Sequence, residues 1–167
     1  MRYAPAALAL SLLVAVTASV GDAAPRAVDP RAMELVAQGR SLLGEGNVQP
    51  AIDAFEAALA IDPSFSDVYL ELAEAARQQG LQGKAIHFYR EALDHEPGNL
   101  AAISGEGEAM VEKGALAKAK ANLAKLESIC GEGCTETQEL AAAIAAGPRQ
   151  KVLTAEAVAP DPTVTQN

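Results

Sequence analysis

The segment "AIDAFEAALAIDP" at residues 51–63 is followed, at a shift of 34 residues, by the similar segment "AIHFYREALDHEP" at residues 85–97. Both segments keep alanine, a large aromatic residue, alanine and proline at the same offsets, although most residues between them differ. Their apolar residues recur at the spacing of one helical face. Each segment is therefore predicted to form a helix that ends before its proline, because proline cannot continue the helical hydrogen bonds.

The same period continues through three units of the chain. The equivalent positions, in chain order, are Gly39, Ala73 and Gly107; Gly46, Gly80 and Gly114; Ala51, Ala85 and Ala119; Phe55, Tyr89 and Leu123; Ala58, Ala92 and Leu126; and Pro63, Pro97 and Gly131. A period near 34 predicts stacked helix-turn-helix units. Small residues at the first and third positions allow two antiparallel helices to approach closely, and the glycine between them permits the backbone conformation that reverses the chain.

An all-α fold is predicted from this pattern. The expected helices lie at about residues 30–44, 48–61, 65–79, 82–95, 99–113, 116–129 and 135–146. Asp29 before Pro30 predicts an N-cap followed by proline at the first helical position. Asn47 and Asn99 are further N-cap candidates, because their side chains can accept a hydrogen bond from the first helical turn.

These positions resemble the consensus of the tetratricopeptide repeat (TPR) family over about residues 32–131. The units lie at about residues 32–65, 66–99 and 100–131. The second unit matches best, whereas the third has Leu126 where the family usually has alanine and Gly131 where it usually has proline. The resemblance implies a right-handed α-solenoid of three helix-turn-helix repeats, closed by a capping helix at the end of the stack.

The turn before the expected capping helix contains both cysteines of the chain, Cys130 and Cys134. In an exported chain, an even pair so close together predicts a disulfide, which would pin the capping helix. Thr135 and Gln138 predict a capping box at its start. The C-x-x-x-C spacing differs from the C-x-x-C of redox sites and of haem attachment, and two thiols without a nearby histidine make a poor zinc site. A disulfide-dependent redox helper stays as a less favoured alternative.

Residues 1–23 have the pattern of a secretory signal peptide. Arg2 precedes an apolar run that extends from about residue 6 to residue 20. This run is shorter than the ~20 residues that a membrane-spanning helix needs. Cleavage is expected after Ala18, with Val16 two residues before it, or after Ala23, with Gly21 two residues before it.

Export defines the expected organisation of the chain. Removal of the signal peptide would leave a TPR domain at residues 24–146 and a tail at residues 147–167. The tail contains three prolines and no sustained helical periodicity, so it is predicted to be flexible. The processed protein is expected in the periplasm or outside the cell of a bacterium, without membrane insertion.

Composition and motif content disfavour several functions. A net charge of −9 without a basic cluster argues against nucleic acid, whose phosphates require lysine or arginine. No nucleophile–base pair, phosphate-binding loop or metal-ligand set indicates an enzyme, a cofactor or a metal site. His87, Glu91 and His95 share one helical stripe, which is predicted to face water. A solvated polar face is predicted at Glu106, Glu108 and Glu112.

In the TPR family the first helix of each unit lines a concave groove that binds a partner. The resemblance places in this groove Met33, Val36, Arg40 and Leu43 of the first unit, Asp67, Leu70, Glu74 and Arg77 of the second, and Ala101, Ser104, Glu108 and Val111 of the third. The lysines and asparagines with which some members grip a C-terminal carboxylate are missing. A mixed apolar and acidic groove suits a protein or peptide segment that carries apolar anchors and basic residues. A protein-binding adaptor in the cell envelope is therefore predicted, with a self-associating structural component as the alternative and the oligomeric state open.

Overall fold

A computed structural model describes residues 27–148, and within them the α-helix is the only regular secondary structure. The helices are α1 (Pro30–Gly44), α2 (Val48–Ile61), α3 (Val68–Gln78), α4 (Gln82–His95), α5 (Leu100–Glu112), α6 (Leu116–Cys130) and α7 (Thr135–Ala146). The predicted signal peptide and nearly all of the predicted tail lie outside the described residues. None of the helices in the described part has the length and apolar character that a membrane span requires.

The helices form three hairpins, α1 with α2, α3 with α4, and α5 with α6, and α7 packs against both α5 and α6. The first helices of neighbouring hairpins are in contact, α1 with α3 and α3 with α5. Within residues 27–148 the second helices do not approach one another in this way, either α2 with α4 or α4 with α6. The stack is therefore closer on the side of the first helices, which makes that side concave.

The predicted turn glycines have the expected conformation. Gly46, Gly80 and Gly114 have φ values of 81°, 73° and 85°. After α1, the Asn47 amide donates to the Leu42 carbonyl (2.9 Å) and the Gly46 amide to the Leu43 carbonyl (3.0 Å). This pair of bonds is a Schellman motif, which satisfies the last carbonyls of a helix and requires a left-handed residue. The same arrangement repeated in each unit gives the three hairpins the same reversal.

Close helix contacts depend on the small residues of the repeat. A methyl group added at Gly39 would lie less than 3.0 Å from three atoms of the Phe55 ring, so this ring fills the space above the glycine. Phe55 is fully buried, and so is Ala51 one turn before it. In the next unit the Tyr89 ring lies equally close to Gly105. The two aromatic rings therefore make different contacts, Phe55 within its own hairpin and Tyr89 with the hairpin that follows.

One helix boundary differs clearly from its prediction. α3 was expected from residue 65 but begins at Val68, because Asp62 organises a turn after α2. The Asp62 carboxylate accepts the Ser64 amide (3.1 Å) and hydroxyl (2.6 Å). It also accepts the amide of Asp29 (3.0 Å), and the aspartate is almost completely buried. Asp62 thus connects the start of α1 to the end of α2, a role that the sequence pattern did not indicate.

The predicted N-caps are confirmed at two of three positions. Asp29 accepts the amide of Arg31 (2.9 Å), and Asn99 accepts the amide of Ala102 (2.9 Å). Asn47 occupies the N-cap position of α2 without a capping bond. Its amide group donates to Glu45 instead (3.1 Å), because the Schellman turn brings these two residues together.

Candidate partner-binding groove

The concave groove consists of the exposed sides of α1, α3 and α5, and its predicted residues differ in accessibility. Buried members, with less than a tenth of their surface exposed, are Val36, Leu43, Ser104 and Val111. Accessible members include Met33, Arg40, Leu70 and Glu74, of which Met33 is 48% exposed. The buried residues hold the helices together and offer almost no surface to a partner.

Helix α7 covers the part of the groove that α5 forms. The Ser104 hydroxyl donates to the carbonyl of Glu136 in α7 (3.1 Å). A methyl group at Gly107 would lie within 3.3 Å of three atoms of Leu140, so α7 rests directly on the glycine. Ser104 and Val111 are therefore buried beneath α7. The third unit contributes little open groove, and the accessible surface lies mainly on α1 and α3.

Ion pairs connect the first helices across the floor of the groove. Arg40 of α1 contacts Glu71 of α3 at 2.6 Å. Arg77 of α3 contacts two residues of α5, Glu108 at 2.8 Å and Glu112 at 2.7 Å. Arg77 also contacts Glu74 of its own helix at 3.2 Å, and only 18% of the arginine side chain is exposed. These pairs fix the spacing of the three helices and order the charged groups of the groove.

Carboxylates outnumber cations in the groove. Arg40 and Arg77 face five acidic residues, Asp67, Glu71, Glu74, Glu108 and Glu112. Burial alone lowers the pKa of Arg77, but the hydrogen bond and negative charge of Glu112, together with the neighbouring Tyr89 hydroxyl, outweigh burial and raise the pKa above its usual value. The guanidinium therefore stays charged, and its single positive charge balances only part of the negative charge of these acidic residues. The Glu74 side chain is 45% exposed, so its carboxylate reaches solvent although it also contacts Arg77.

A small cavity of about 130 Å³ lies where α7 ends beside the acidic residues. Arg77, Glu108 and Glu112 line one side, and Ala143, Ala146 and Gly147 line the other. The cavity adjoins the groove and has room for one side chain rather than for a small-molecule ligand, whose pockets measure about 300–1,000 Å³.

The turn before α7 confirms the predicted disulfide and corrects the predicted capping box. Cys130 and Cys134 form a disulfide. Cys134, not Thr135, is the N-cap of α7, and it makes no side-chain capping bond. Thr137 holds the turn instead, because its buried hydroxyl donates to the carbonyl of Gly131 (3.0 Å). Gly131 has a φ of 84°, so the chain turns sharply where the earlier units have proline.

Reduction of the disulfide is expected to destabilise the protein modestly. The bond closes a loop of about five residues, for which chain entropy accounts for roughly 2 kcal/mol at most. Chemical denaturation of the oxidised protein and of a Cys130→Ser/Cys134→Ser variant would measure the difference. The hydrogen bond of Thr137 to Gly131 remains in the variant, so α7 should still be helical. A loss much larger than about 2 kcal/mol would show that the disulfide determines the position of α7.

One of the acidic residues predicted to be solvated is buried. Glu106 is 6% exposed and accepts bonds from Arg90 of α4 (2.7 Å) and Asn122 of α6 (2.9 Å). Asn122 also donates to the carbonyl of Ile103 (3.1 Å). The prediction of a solvated face was wrong for Glu106 because its partners come from two other helices. Glu106 therefore has a structural role in joining α4, α5 and α6.

The histidines lie on the surface, as expected from their helical stripe. His87 is 63% exposed and lies 3.7 Å from Glu91, and His95 stacks on Tyr69 with ring centroids 5.8 Å apart. Over residues 27–148, no three histidine, cysteine, aspartate or glutamate side chains are grouped as metal ligands.

Comparison with known proteins supports the repeat. A family model described as tetratricopeptide repeat matches residues 36–101, from α1 to the start of α5. None of the curated proteins matches the chain significantly. Several solved structures share the fold.

The Sgt2 TPR domain from Aspergillus fumigatus is 22% identical with a TM-score of 0.64, and the match covers 86% of this chain and 95% of that one. The first TPR of Spaghetti (RPAP3), bound to an HSP90 peptide, is 22% identical with a TM-score of 0.63, covering 71% and 95%. The Yersinia enterocolitica secretion chaperone SycD, in complex with a peptide of the translocator YopD, is 21% identical with a TM-score of 0.59, covering 68% and 86%. At these identities the likeness establishes the fold alone. Residues 36–101 thus match the tetratricopeptide repeat, and the described part of the chain has the fold of a TPR domain.

Proposed function

We propose that this chain is a non-catalytic adaptor of the bacterial cell envelope, which binds a segment of a partner protein in its concave groove. The observation that carries the proposal is the accessible surface across α1 and α3, which combines apolar side chains with more carboxylates than cations. Two of the structural neighbours carry a bound peptide, an HSP90 peptide on RPAP3 and a YopD peptide on SycD, which supports this use of the fold.

The groove favours a segment that is basic and partly apolar. Met33 and Leu70 provide apolar surface, and Glu74 provides negative charge, since 45% of its side chain is exposed although it contacts Arg77. A lysine or arginine of the partner would pair with Glu74, while a neighbouring apolar side chain would cover Leu70. Binding would require no rearrangement of α7, because the surface on α1 and α3 is already open.

Reversal of one groove charge tests the proposal. A labelled twelve-residue peptide of lysine and leucine serves as the probe, and its fluorescence anisotropy reports binding. We expect Glu74→Lys to weaken the affinity by about tenfold or more, since it replaces attraction with like-charge repulsion. Glu56→Lys is the matched control, because Glu56 is an exposed residue of α2 outside the groove and undergoes the same charge change.

The two variants separate specific binding from general attraction to an acidic protein. Equal affinities for the wild type and Glu74→Lys would place the probe outside the groove. Equal losses in both variants would mean that only net charge matters. Light scattering of the protein without the peptide measures its oligomeric state. Self-association in the absence of a partner would favour the alternative, a structural component that associates with itself.

The proposed location depends on the N-terminal segment. Mass spectrometry of the protein recovered from bacterial envelope extract should show a mature chain that begins at Ser19 or Ala24, after cleavage at Ala18 or Ala23. Recovery of a chain that still begins at Met1 would exclude cleavage and reject an exported adaptor, without bearing on peptide binding by the groove.

A further inference from the structure

The outer face of the stack carries a cleft whose charge is opposite to that of the groove. The cleft lies between α4, the end of α5 and the start of α6, where the second helices diverge, and its volume is about 260 Å³. We call it the basic cleft, because its lining includes His87, Arg90, Lys113 and Lys118. No carboxylate is among the side chains that line it within the described part of the chain, although the whole chain has a net charge of −9.

The cations of the basic cleft are available to a ligand. Within residues 27–148, Lys113 and Lys118 form no ion pair, and both are exposed. Arg90 donates to Glu106 through Nε, yet 55% of its side chain is exposed at the cleft. The Lys113 ammonium lies over Gly83, 3.8 Å from the place that a methyl group on this glycine would occupy. Glycine thus leaves the mouth of the cleft open beneath the lysine.

The floor of the cleft is apolar and its inner end is positive. Ile86 and Met110 line the floor, with 8% and 4% of their surface exposed. α6 begins at the cleft with Ala115 as its N-cap, which supplies no side-chain capping bond. The positive end of the helix dipole therefore adds to the field of the lysines. Cations around an apolar floor form a site for an anionic group attached to an apolar one.

We propose that the basic cleft binds an acidic peptide segment of a partner protein, with carboxylates at Lys113 and Lys118 and an apolar side chain against Ile86 and Met110. The cleft is open, and its volume is below that of small-molecule pockets, which measure about 300–1,000 Å³. It therefore fits one or two side chains of a segment. A positive cleft on a protein with a net charge of −9 attracts such a segment selectively, because the protein as a whole repels an acidic chain. The chain then has two binding surfaces of opposite charge preference.

The test uses a labelled twelve-residue peptide of glutamate and leucine, titrated against the whole protein and followed by fluorescence anisotropy. A peptide with glutamine in place of glutamate is the neutral control. We expect saturable binding of the acidic peptide that weakens as salt increases. Lys113→Glu/Lys118→Glu should weaken it by about tenfold or more, whereas Lys120→Glu/Lys125→Glu should change it by less than about twofold. Both control lysines are exposed on α6 outside the cleft, so the change in net charge is the same.

Several results would overturn the proposal. Failure of the acidic peptide to saturate, equal affinity for the neutral peptide, or equal losses in both double variants would each reject a specific site. Salt-dependent self-association that disappears in Lys113→Glu/Lys118→Glu would assign the cleft to a second copy of this chain and overturn the partner named here. Circular dichroism of the variants confirms that their helices are intact. Glu74→Lys leaves this cleft unchanged, so failure of the groove proposal is a separate result.

Discussion

Phe55→Ala is expected to reduce the free energy of unfolding by about 3–5 kcal/mol, as measured by urea denaturation. The ring is completely buried and fills the space between α1 and α2 above Gly39. Its removal leaves a cavity that the helices cannot close, because Ala51 and Ala58 on the same helix face are small and already buried. The first hairpin should lose the most stability, since Phe55 is the largest of the fully buried side chains in the described part of the chain.

The contact with Gly39 can be isolated by a second substitution. In the wild type, Gly39→Ala should destabilise by about 1–3 kcal/mol, because the methyl group and the ring compete for one space. In the Phe55→Ala background the same change should be neutral or stabilising, since alanine favours a helix by about 0.5–1 kcal/mol over glycine. Gly44→Ala is the matched control in α1, where a methyl group meets nothing within 4 Å. Equal effects of Gly39→Ala in both backgrounds would contradict the contact.

Leu140→Ala is expected to reduce the free energy of unfolding by about 2–5 kcal/mol. Leu140 is fully buried and is the side chain through which α7 rests on Gly107 of α5. Its loss should loosen α7 and expose Val111 to solvent. Hydrogen exchange should therefore become faster in the amides of α7 and α5 before it does so in α1 and α2.

A control on the same helix separates packing from helix propensity. Glu139 is exposed and adjacent to Leu140, so Glu139→Ala should change the stability by no more than about 0.5 kcal/mol. If Leu140→Ala is as mild as Glu139→Ala, α7 does not pack on α5 as the structure describes. Faster exchange in every helix at once would instead show that the stack unfolds as one unit.

The repeat made most of the fold predictable. Gly46, Gly80 and Gly114 mark the turns through a local property, their freedom to adopt positive φ, which needs no knowledge of distant partners. Pro63 and Pro97 mark the ends of helices for an equally local reason. The bounds of α1, α2, α4 and α7 therefore agree with their predictions, and the others differ by three residues or fewer.

The sequence was less informative where a residue depends on a distant partner. Gly39 and Gly107 occupy the same position of the repeat, yet one accommodates Phe55 of its own hairpin and the other Leu140 of α7. The pattern could not distinguish these two contacts. The sequence therefore did not predict that α7 covers the part of the groove that α5 forms. From the sequence, Glu106 is predicted to be a surface glutamate. Its contacts with Arg90 of α4 and Asn122 of α6 form only in the folded protein.

The candidate groove was predicted only in outline. The positions that the family resemblance indicated lie on α1, α3 and α5, and Arg40, Leu70 and Glu74 are accessible there. It could not show that Val36 and Leu43 are buried, or that Arg77 gathers three glutamates around itself. The assignment of a partner to this surface stays a prediction.

Mapping of backbone amide shifts during titration with the lysine–leucine peptide tests the groove most directly. Binding across α1 and α3 should shift the amides near Met33, Arg40, Leu70 and Glu74 and leave those of α2 unchanged. Shifts confined to the outer helices, or saturable binding that moves no amide of α1 and α3, would contradict a concave groove that receives the partner.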